Sequence, residues 1–281
     1  MHNAVSHTIN VRGRLLELST PIVMGILNVT PDSFFAHSRV NTETEIAARA
    51  DEIVAQGGTI IDVGGCSTRP GGEIASEQEE MSRLRLALAT VRKCQPETPV
   101  SVDTFRPSVA RMAVEEFGVD IINDVSEGTG SSQIPPETDN CEEMFLTVAR
   151  LGVPYVLMSV RADLAQSLKA LSRKVIQLHA LGVKDILIDP GFGFGKTLEQ
   201  NYELLAAMDR LQVLGLPLLV GVSRKRMAWQ PLGISPGEAL NASTVLHTVA
   251  LLKGASIIRT HDVKEAVEAC RIVNMLHHQT Q

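Results

Sequence analysis

Polar side chains that could act together chemically recur at the ends of short apolar segments in this sequence. Asn28 ends the first such segment, and Arg259 and His261 end the last. Arginine matches phosphate oxygens through paired hydrogen bonds, a protonated histidine adds positive charge, and an amide oxygen is a suitable ligand for Mg²⁺. We therefore expect these three residues to form a phosphate-binding half of a site.

A second group of residues offers hydrogen-bond acceptors and one cation. Asp103, Asn123 and Asp189 end three further apolar segments, and Lys225 follows a fourth. Two carboxylates and an amide suit a nitrogen-rich heterocycle with NH donors, and a lysine ammonium can reach its carbonyl or ring nitrogen. One Asp or Asn in such a place often only caps the next helix. Several buried charged groups together are costly unless they pair or meet a ligand, so we predict a polar small-molecule site.

Eight short apolar segments must position these residues. They are continuous rather than alternating in polarity, which is typical of strands that are buried on both faces. Their ranges are 22–29, 59–65, 99–104, 119–125, 154–160, 185–191, 217–223 and 255–261.

Helical patterns separate the predicted strands. Ser76 resembles a helix N-cap, and the pattern at 107–118 begins with Pro107 and ends on Gly118. The patterns cover 42–58, 76–93, 107–118, 198–215, 237–254 and 262–278. Alternating strands and helices imply parallel pairing.

We therefore predict an α/β fold, a (β/α)8 TIM barrel that forms a single domain over residues 1–281, with a β-hairpin at 8–19 capping the barrel bottom. An open doubly wound sheet is the alternative. In a barrel the strand ends converge on the C-terminal face, where active sites lie.

Composition excludes several classes of function. The chain has 281 residues and a net charge of −6, and only 4% of its residues are aromatic, which argues against a nucleic-acid binder. Four cysteines form no CxxC pair, so we expect neither a zinc site nor a disulfide framework but a reduced, cytoplasmic setting. No apolar run approaches the roughly 18 residues of a membrane span. The segment 191–197 misses the phosphate-binding loop pattern because Pro190 replaces its first glycine.

Eight segments of the chain resemble the dihydropteroate synthases of the folate pathway, in order and at the expected spacing. They are 24–35, 60–72, 99–110, 120–126, 154–158, 189–201, 218–226 and 254–267. The resemblance implies a barrel, a homodimer and a sulfonamide target. It also implies condensation of 6-hydroxymethyl-7,8-dihydropterin pyrophosphate with p-aminobenzoate to give 7,8-dihydropteroate and pyrophosphate. Pyrophosphate departs first, and the amine captures a pterin-methyl cation.

The resemblance also implies a role for particular residues. The catalytic residues are Asp103, Lys225, Arg259 and His261. The pterin-binding residues are Asp103, Asn123, Met158, Asp189 and Lys225. The pyrophosphate-binding residues are Asn28, Arg69, Arg259 and His261, with Mg²⁺ as cofactor and Asn28 as its ligand. The p-aminobenzoate-binding residues are Thr68, Pro70, Phe194, Lys225 and Arg226. Two loops, at about 30–40 and 65–74, are expected to close over the substrates.

Five positions depart from the family pattern. Ala36 replaces an aspartate, Ser159 a histidine, Ala162 a glycine, Cys66 a frequent glutamate, and Arg226 a serine that often meets the p-aminobenzoate carboxylate. We expect Cys66 to be an inert thiol and Arg226 to pair with that carboxylate or reshape the site. Two alternatives stay open: a catalytically weak pterin-binding paralogue and a pterin-dependent methyltransferase domain.

Overall fold

The computed structural model describes residues 7–30, 42–67, 74–131 and 142–278. A two-stranded antiparallel hairpin precedes a closed barrel of eight parallel strands. The hairpin strands are β1 (Thr8–Val11) and β2 (Arg14–Glu17). The barrel strands are β3 (Ile22–Asn28), β4 (Ile60–Gly64), β5 (Val100–Asp103), β6 (Ile121–Asp124), β7 (Tyr155–Met158), β8 (Ile186–Asp189), β9 (Leu218–Val220) and β10 (Ala255–Thr260). Strand β10 pairs with β3 and closes the barrel, so the predicted TIM barrel is confirmed.

Helices follow the barrel strands and cover them on the outside. They are α1 (Glu43–Ala55), α2 (Glu77–Cys94), α3 (Pro107–Phe117), α4 (Glu142–Leu151), α5 (Leu164–Ala180), α6 (Leu198–Ala206), α7 (Arg226–Trp229), α8 (Leu240–Leu252) and α9 (Val263–His278). Ser76 caps α2 through a capping box with Glu79, and Gly118 ends α3 in a left-handed conformation. Both features agree with the sequence patterns.

One predicted helix differs from the observed structure. The pattern at 198–215 is an α-helix only as far as Ala206, and a 3-10 helix, Met208–Leu214, follows it. Met208 and Leu211 are the buried residues of this segment. Their spacing of three matches the period of a 3-10 helix, which brings both side chains to one face.

The N-terminal hairpin covers the bottom of the barrel, as predicted. Ile9, Val11 and Leu18 pack against residues from the N-terminal ends of the barrel strands, including Met24 and Ile60. Arg12 donates to both oxygens of the buried Asp120, at 2.5 and 3.0 Å. The hairpin thus closes the end of the barrel opposite the predicted site.

The main hydrophobic core lies between the strands and the surrounding helices. No helix in the described ranges has the length and apolar character to cross a membrane. Of the four cysteines, Cys66, Cys94 and Cys270 are free thiols, and Cys141 lies outside the described residues. The prediction of a single domain over the whole chain stays a prediction.

Candidate active site

The C-terminal ends of the strands open into a cavity of about 850 Å³. Its volume is in the range of small-molecule sites. Seven of the predicted site residues line it: Asn28, Asp103, Phe194, Lys225, Arg226, Arg259 and His261. The barrel therefore brings together residues from both halves of the predicted site, although they are far apart in the sequence.

Arg259 lies between two carboxylates at the base of this cavity. Its Nε donates to Asp62 and its Nη2 to Asp103, both at 2.6 Å. Burial works to lower the pKa of Arg259, but the two carboxylates outweigh it and raise the pKa. Burial also raises the pKa of Asp103 to about 7, against the opposing effect of Arg259. The guanidinium is thus fixed in place and always charged.

Asp62 is a member of the site for which the sequence predicted no particular role. It is fully buried and accepts a 3.3 Å hydrogen bond from Nδ2 of Asn123 as well as the one from Arg259. This contact leaves the amide oxygen of Asn123 as its remaining polar atom. Within the described ranges, Oδ1 of Asn123 and Oδ1 of Asp62 have no hydrogen-bond partner. Buried acceptors are normally satisfied, so these two indicate a ligand with NH donors.

Lys225 follows β9 and is held by the segment that follows β8. Its Nζ donates to the carbonyl of Phe192 at 2.5 Å and lies 4.9 Å from the centre of the Phe194 ring. Burial lowers the pKa of Lys225 to about 8, and the charge of Asp189 opposes this effect. Burial raises the pKa of Asp189, with Lys225 opposing. An ammonium and a carboxylate thus lie close to each other, next to an aromatic ring.

Asn28 and His261 lie on adjacent strand ends, because β3 and β10 are paired. The His261 Nδ1 is 3.2 Å from Oγ of Ser223, and the buried Arg49 donates to the His261 carbonyl at 2.7 Å. Asn28 fits against Gly64: a Cβ at that position would lie 2.9 Å from Oδ1 of Asn28. A glycine at 64 therefore leaves room for the amide to turn into the cavity.

Arg226 lies at the outer edge of the cavity. It is exposed, it is the first residue of α7, and its Nε donates to the side chain of Gln230. Trp229 and Met227 line the same part of the cavity. This rim therefore combines an arginine with apolar and aromatic side chains.

Not every predicted site residue reaches the cavity wall. Asn123, Met158 and Asp189 are at most 7% exposed, at strand ends behind the wall. They remain neighbours of the lining residues: Asp103 is in register with Asn123, and Met158 with Asp189. Thr68, Arg69 and Pro70 lie outside the described residues, as do Ala36 and most of both predicted closing loops.

Two departures from the family pattern have a structural account. Ser159 is buried, and its hydroxyl is 3.0 Å from that of Ser167 on α5, so a hydroxyl pair occupies this position. Cys66 is half-buried on the cavity wall. Burial and the charge of Glu80 raise the pKa of the Cys66 thiol, which disfavours the reactive thiolate. The expectation of an inert thiol therefore has physical support.

Comparison with known proteins identifies the class to which this barrel belongs. Residues 24–261 match the family described as "Pterin binding enzyme", and the chain belongs to that family. Two curated relatives are dihydropteroate synthases. That of Escherichia coli K12 is 37% identical over 277 residues, covering 93% of this chain and 94% of the relative. That of Bacillus subtilis 168 is 37% identical over 266 residues, covering 91% and 88%.

Solved structures give the same result. Xanthomonas albilineans dihydropteroate synthase with 4-aminobenzoic acid has a TM-score of 0.85 and 35% identity, covering 97% of this chain and 98% of that one. Yersinia pestis dihydropteroate synthase with a sulfonamide drug has a TM-score of 0.84 and 36% identity, covering 97% and 100%. Within the pterin binding enzymes, the chain is a member of the dihydropteroate synthase family, and thus a transferase.

Proposed function

We propose that this chain condenses 6-hydroxymethyl-7,8-dihydropterin pyrophosphate with p-aminobenzoate and releases pyrophosphate. The observation that carries the proposal is the juxtaposition of two half-sites in one cavity. One half presents Arg259, His261 and Asn28, and the other presents Asp103 and Lys225. A substrate with an anionic tail and a ring rich in NH donors matches both halves at once.

The pterin ring fits the acceptors at the base of the site. Asn123 keeps its amide oxygen available because its NH₂ group is engaged by Asp62. Asp189 and Asp103 offer carboxylate oxygens for the ring NH and NH₂ groups, and Lys225 offers a donor for the ring carbonyl. Met158 lies next to Asp189, fully buried behind the cavity wall, and is proposed as apolar support beneath the ring.

Departure of pyrophosphate is the step that the positive charge of the site assists. The bond between the methylene carbon and the ester oxygen breaks, and the electron pair leaves with pyrophosphate. Arg259 and a ring NH of His261 stabilise the anion that forms, which is the kind of fixed electrostatic effect that contributes most to many enzymes. The amine lone pair of p-aminobenzoate then forms the new C–N bond, and the amine proton passes to solvent.

The arylamine fits between the Phe194 ring, Lys225 and the outer rim. An aniline amine is already nucleophilic, so this half of the site needs to orient it rather than activate it. Arg226 lies where the p-aminobenzoate carboxylate would emerge and is proposed to pair with it. A relative is described with 4-aminobenzoic acid and another with a sulfonamide drug, and we extend binding of both to this chain.

Magnesium is proposed as the cofactor, with Asn28 as its protein ligand. Among the described residues, no group of three His, Cys, Asp or Glu side chains could hold a metal by itself. Mg²⁺ commonly uses one or two protein ligands and completes its shell with substrate phosphates and water. The amide oxygen of Asn28, beside Gly64 and close to Asp103, fits that pattern. The ion would supply further positive charge to the departing pyrophosphate.

A homodimer is proposed from the surface of α8 and α9. These two helices pack side by side. Val245 and Leu252 on α8, and Ile272 and Met275 on α9, are each more than half exposed. Apolar patches of this kind mark interaction sites. A cytoplasmic location stays a prediction from the sequence.

The test is pyrophosphate release by the purified protein with Mg²⁺ and the pterin pyrophosphate, with and without p-aminobenzoate. We expect sustained release, with dihydropteroate as product, only when both substrates are present. Tight pterin binding without product would favour the catalytically weak paralogue. Neither binding nor turnover would contradict the proposed function. The methyltransferase alternative has no support among the relatives described above.

A further inference from the structure

We propose that Lys196 is a positioning residue of this site: it anchors residues 191–197 to strand β7 so that Lys225 and Phe194 keep their relative positions. We call residues 191–197 the platform turn. The inference rests on the proposed function, because it concerns the arylamine half of that site. The family resemblance gives Lys196 no role. Lys196 lies in the segment 191–197, whose sequence does not match the phosphate-binding loop pattern.

Three backbone carbonyls converge on the ammonium of Lys196. Its Nζ donates to Gly191 at 2.9 Å, to Phe194 at 3.2 Å and to Ser159 at 3.2 Å. The first two carbonyls belong to the platform turn, and Ser159 directly follows β7. The lysine therefore ties both ends of the turn to the neighbouring strand of the barrel.

These contacts use the full donor capacity of the side chain. An ammonium has three N–H groups and no acceptor, and each N–H group meets one carbonyl. Lys196 therefore has no donor left for a substrate although it lies at the cavity wall. Loss of its proton would leave one carbonyl without a donor, so it is also a poor general base. Burial lowers the pKa of Lys196 to about 8, while Asp189 and Glu127 oppose the shift.

The platform turn fixes the part of the site that faces the arylamine. It supplies the Phe192 carbonyl, which accepts a hydrogen bond from Lys225, and the Phe194 ring, which lies 4.9 Å from the same ammonium. A displacement of the turn would therefore move both groups that hold Lys225. Asp103, Asn123 and Asp189 lie on barrel strands, so the pterin half would move less.

Asn201 on α6 is a second anchor of the same turn. Its Oδ1 accepts from the backbone NH of Gly193 at 2.7 Å, and its Nδ2 donates to the carbonyl of Thr197 at 2.6 Å. Gly191 has a φ of 72°, and a Cβ there would lie 1.9 Å from the Ser159 carbonyl. The turn thus approaches β7 so closely that only glycine fits, which allows one lysine to span both.

The experiment compares Lys196→Met with Lys174→Met. Lys174 is the control: it is buried where Lys196 is half-buried, its Nζ likewise donates to a backbone carbonyl, that of Glu127, at 2.7 Å, and it lies outside the platform turn. We expect Lys196→Met to raise the KM for p-aminobenzoate by about tenfold or more, since small misplacements in a site have large effects. The KM for the pterin pyrophosphate should change by less than about threefold. Lys174→Met should lower the melting temperature without changing the ratio of the two KM values.

Three outcomes would overturn the inference: an unchanged KM for p-aminobenzoate in Lys196→Met, an equal rise in both KM values in that variant, or a change of the KM ratio in Lys174→Met as large as that in Lys196→Met. If Lys196→Met does not fold, Asn201→Ala replaces it, because this change removes the other anchor and leaves the three carbonyls around Lys196 with their donor. Calorimetric titration with p-aminobenzoate compares its affinity for the variants and for the wild type without requiring turnover. A wild-type protein that yields no dihydropteroate would contradict the proposed function, whereas the titration would still test Lys196.

Discussion

Lys225 and Arg259 are the cations that the proposed chemistry needs most. Arg259 holds fixed positive charge between Asp62 and Asp103, and Lys225 joins the pterin and arylamine halves. We expect Lys225→Ala and Arg259→Ala each to lower kcat/KM by about 100-fold or more, which is the effect of removing a fixed electrostatic contact. Steady-state kinetics at saturating Mg²⁺ measure the loss.

The control for this prediction is Lys253→Ala. Lys253 pairs with Asp209 at 3.0 Å and is not one of the residues that line the cavity. It should retain wild-type kinetics. Circular dichroism should show all three variants folded, because burial already raises the pKa of Asp103 to about 7 and this carboxyl can take up a proton when the neighbouring guanidinium is lost. Near-normal turnover in Lys225→Ala or Arg259→Ala would contradict the site assignment.

Arg226 is expected to act on one substrate only. Replacing it with Ser should raise the KM for p-aminobenzoate by about two- to fivefold, the range for an exposed charge pair, and leave that for the pterin unchanged. Arg85→Ser, which breaks an exposed pair with Glu116, is the matched control and should change neither. If Arg226→Ser has a wild-type KM for p-aminobenzoate, Arg226 does not belong to the site.

The sequence predicted individual site residues well where a polar residue stands at the end of an apolar run. Asp103, Lys225 and Arg259 follow apolar runs, so the barrel places them on the predicted face. No role was predicted for Asp62, because it lies inside a strand and its partner Arg259 is 197 positions away in the chain. Only closure of the barrel brings the two together, and no local pattern contains that information.

At the level of elements, the hairpin is expected to affect stability and not activity. Asp120 accepts hydrogen bonds from Arg12 on the hairpin side, from Arg92 on α2 at 2.8 Å, and from the backbone of Val100 at 2.7 Å. Asp120→Ala should therefore lower the free energy of unfolding by about 3 kcal/mol or more, since it leaves two cations without their carboxylate. Urea unfolding at pH 7 measures this change.

Both KM values should be unchanged in Asp120→Ala at a temperature where the variant is folded, because the active site of a barrel lies at the opposite end from this carboxylate. Glu116→Ala, which breaks only an exposed pair, should alter the unfolding free energy by less than about 1 kcal/mol. A loss of activity without a loss of stability in Asp120→Ala would contradict this division of roles.

The packing of α8 against the barrel is expected to be sensitive to acid. His247 on α8 is buried, and burial lowers its pKa to about 4, against the opposing charge of Asp262. The folded protein therefore binds this proton less readily than the unfolded chain, and stability falls as pH falls below 6.5. With those two values, linkage gives a loss of about 2 kcal/mol at pH 5.

His247→Leu should remove this part of the pH dependence. Urea unfolding at pH 7 and pH 5 gives the test: the loss between the two values should be about 2 kcal/mol smaller in the variant than in the wild type. Comparing the two proteins cancels the contribution of the buried carboxylates, which titrate in both. Equal losses would mean that His247 takes up its proton without disturbing the fold.

The strand positions were predictable because strands buried on both faces give continuous apolar runs. Two segments show where such patterns mislead. The serine and glycine residues at 126–131 are typical of a surface loop, but Ser126 and Glu127 are buried. Asp124 accepts from the backbone of Ser126 and Gly128, and Lys174 and Arg161 pair with Glu127. The polar residues of this segment bond to partners that are distant in the chain, which composition cannot show.

The second segment is 198–215, where one helical pattern covers an α-helix and a 3-10 helix.

At the scale of the whole molecule, the two ends of the barrel differ. The C-terminal ends of the strands form the polar site, and the hairpin covers the apolar opposite end. The outer helices are therefore the surface left for association between subunits, and α8 and α9 carry the proposed dimer surface. The double variant Val245→Glu, Ile272→Glu should shift the protein from dimer to monomer in sedimentation velocity, because it places charges on the apolar patch. Leu15→Glu, which changes a similarly exposed apolar residue on the hairpin, should leave the dimer intact. A monomeric wild type would contradict the proposal.

The most direct measurement of the proposed activity is the stoichiometry of the two products. Purified protein, Mg²⁺, the pterin pyrophosphate and p-aminobenzoate are combined, and dihydropteroate and pyrophosphate are quantified in the same samples. A condensation at this site predicts equal amounts of both, dependent on p-aminobenzoate, and formation of both slower by about 100-fold or more with Lys225→Ala. Pyrophosphate without dihydropteroate, or equal product formation by Lys225→Ala, would contradict it.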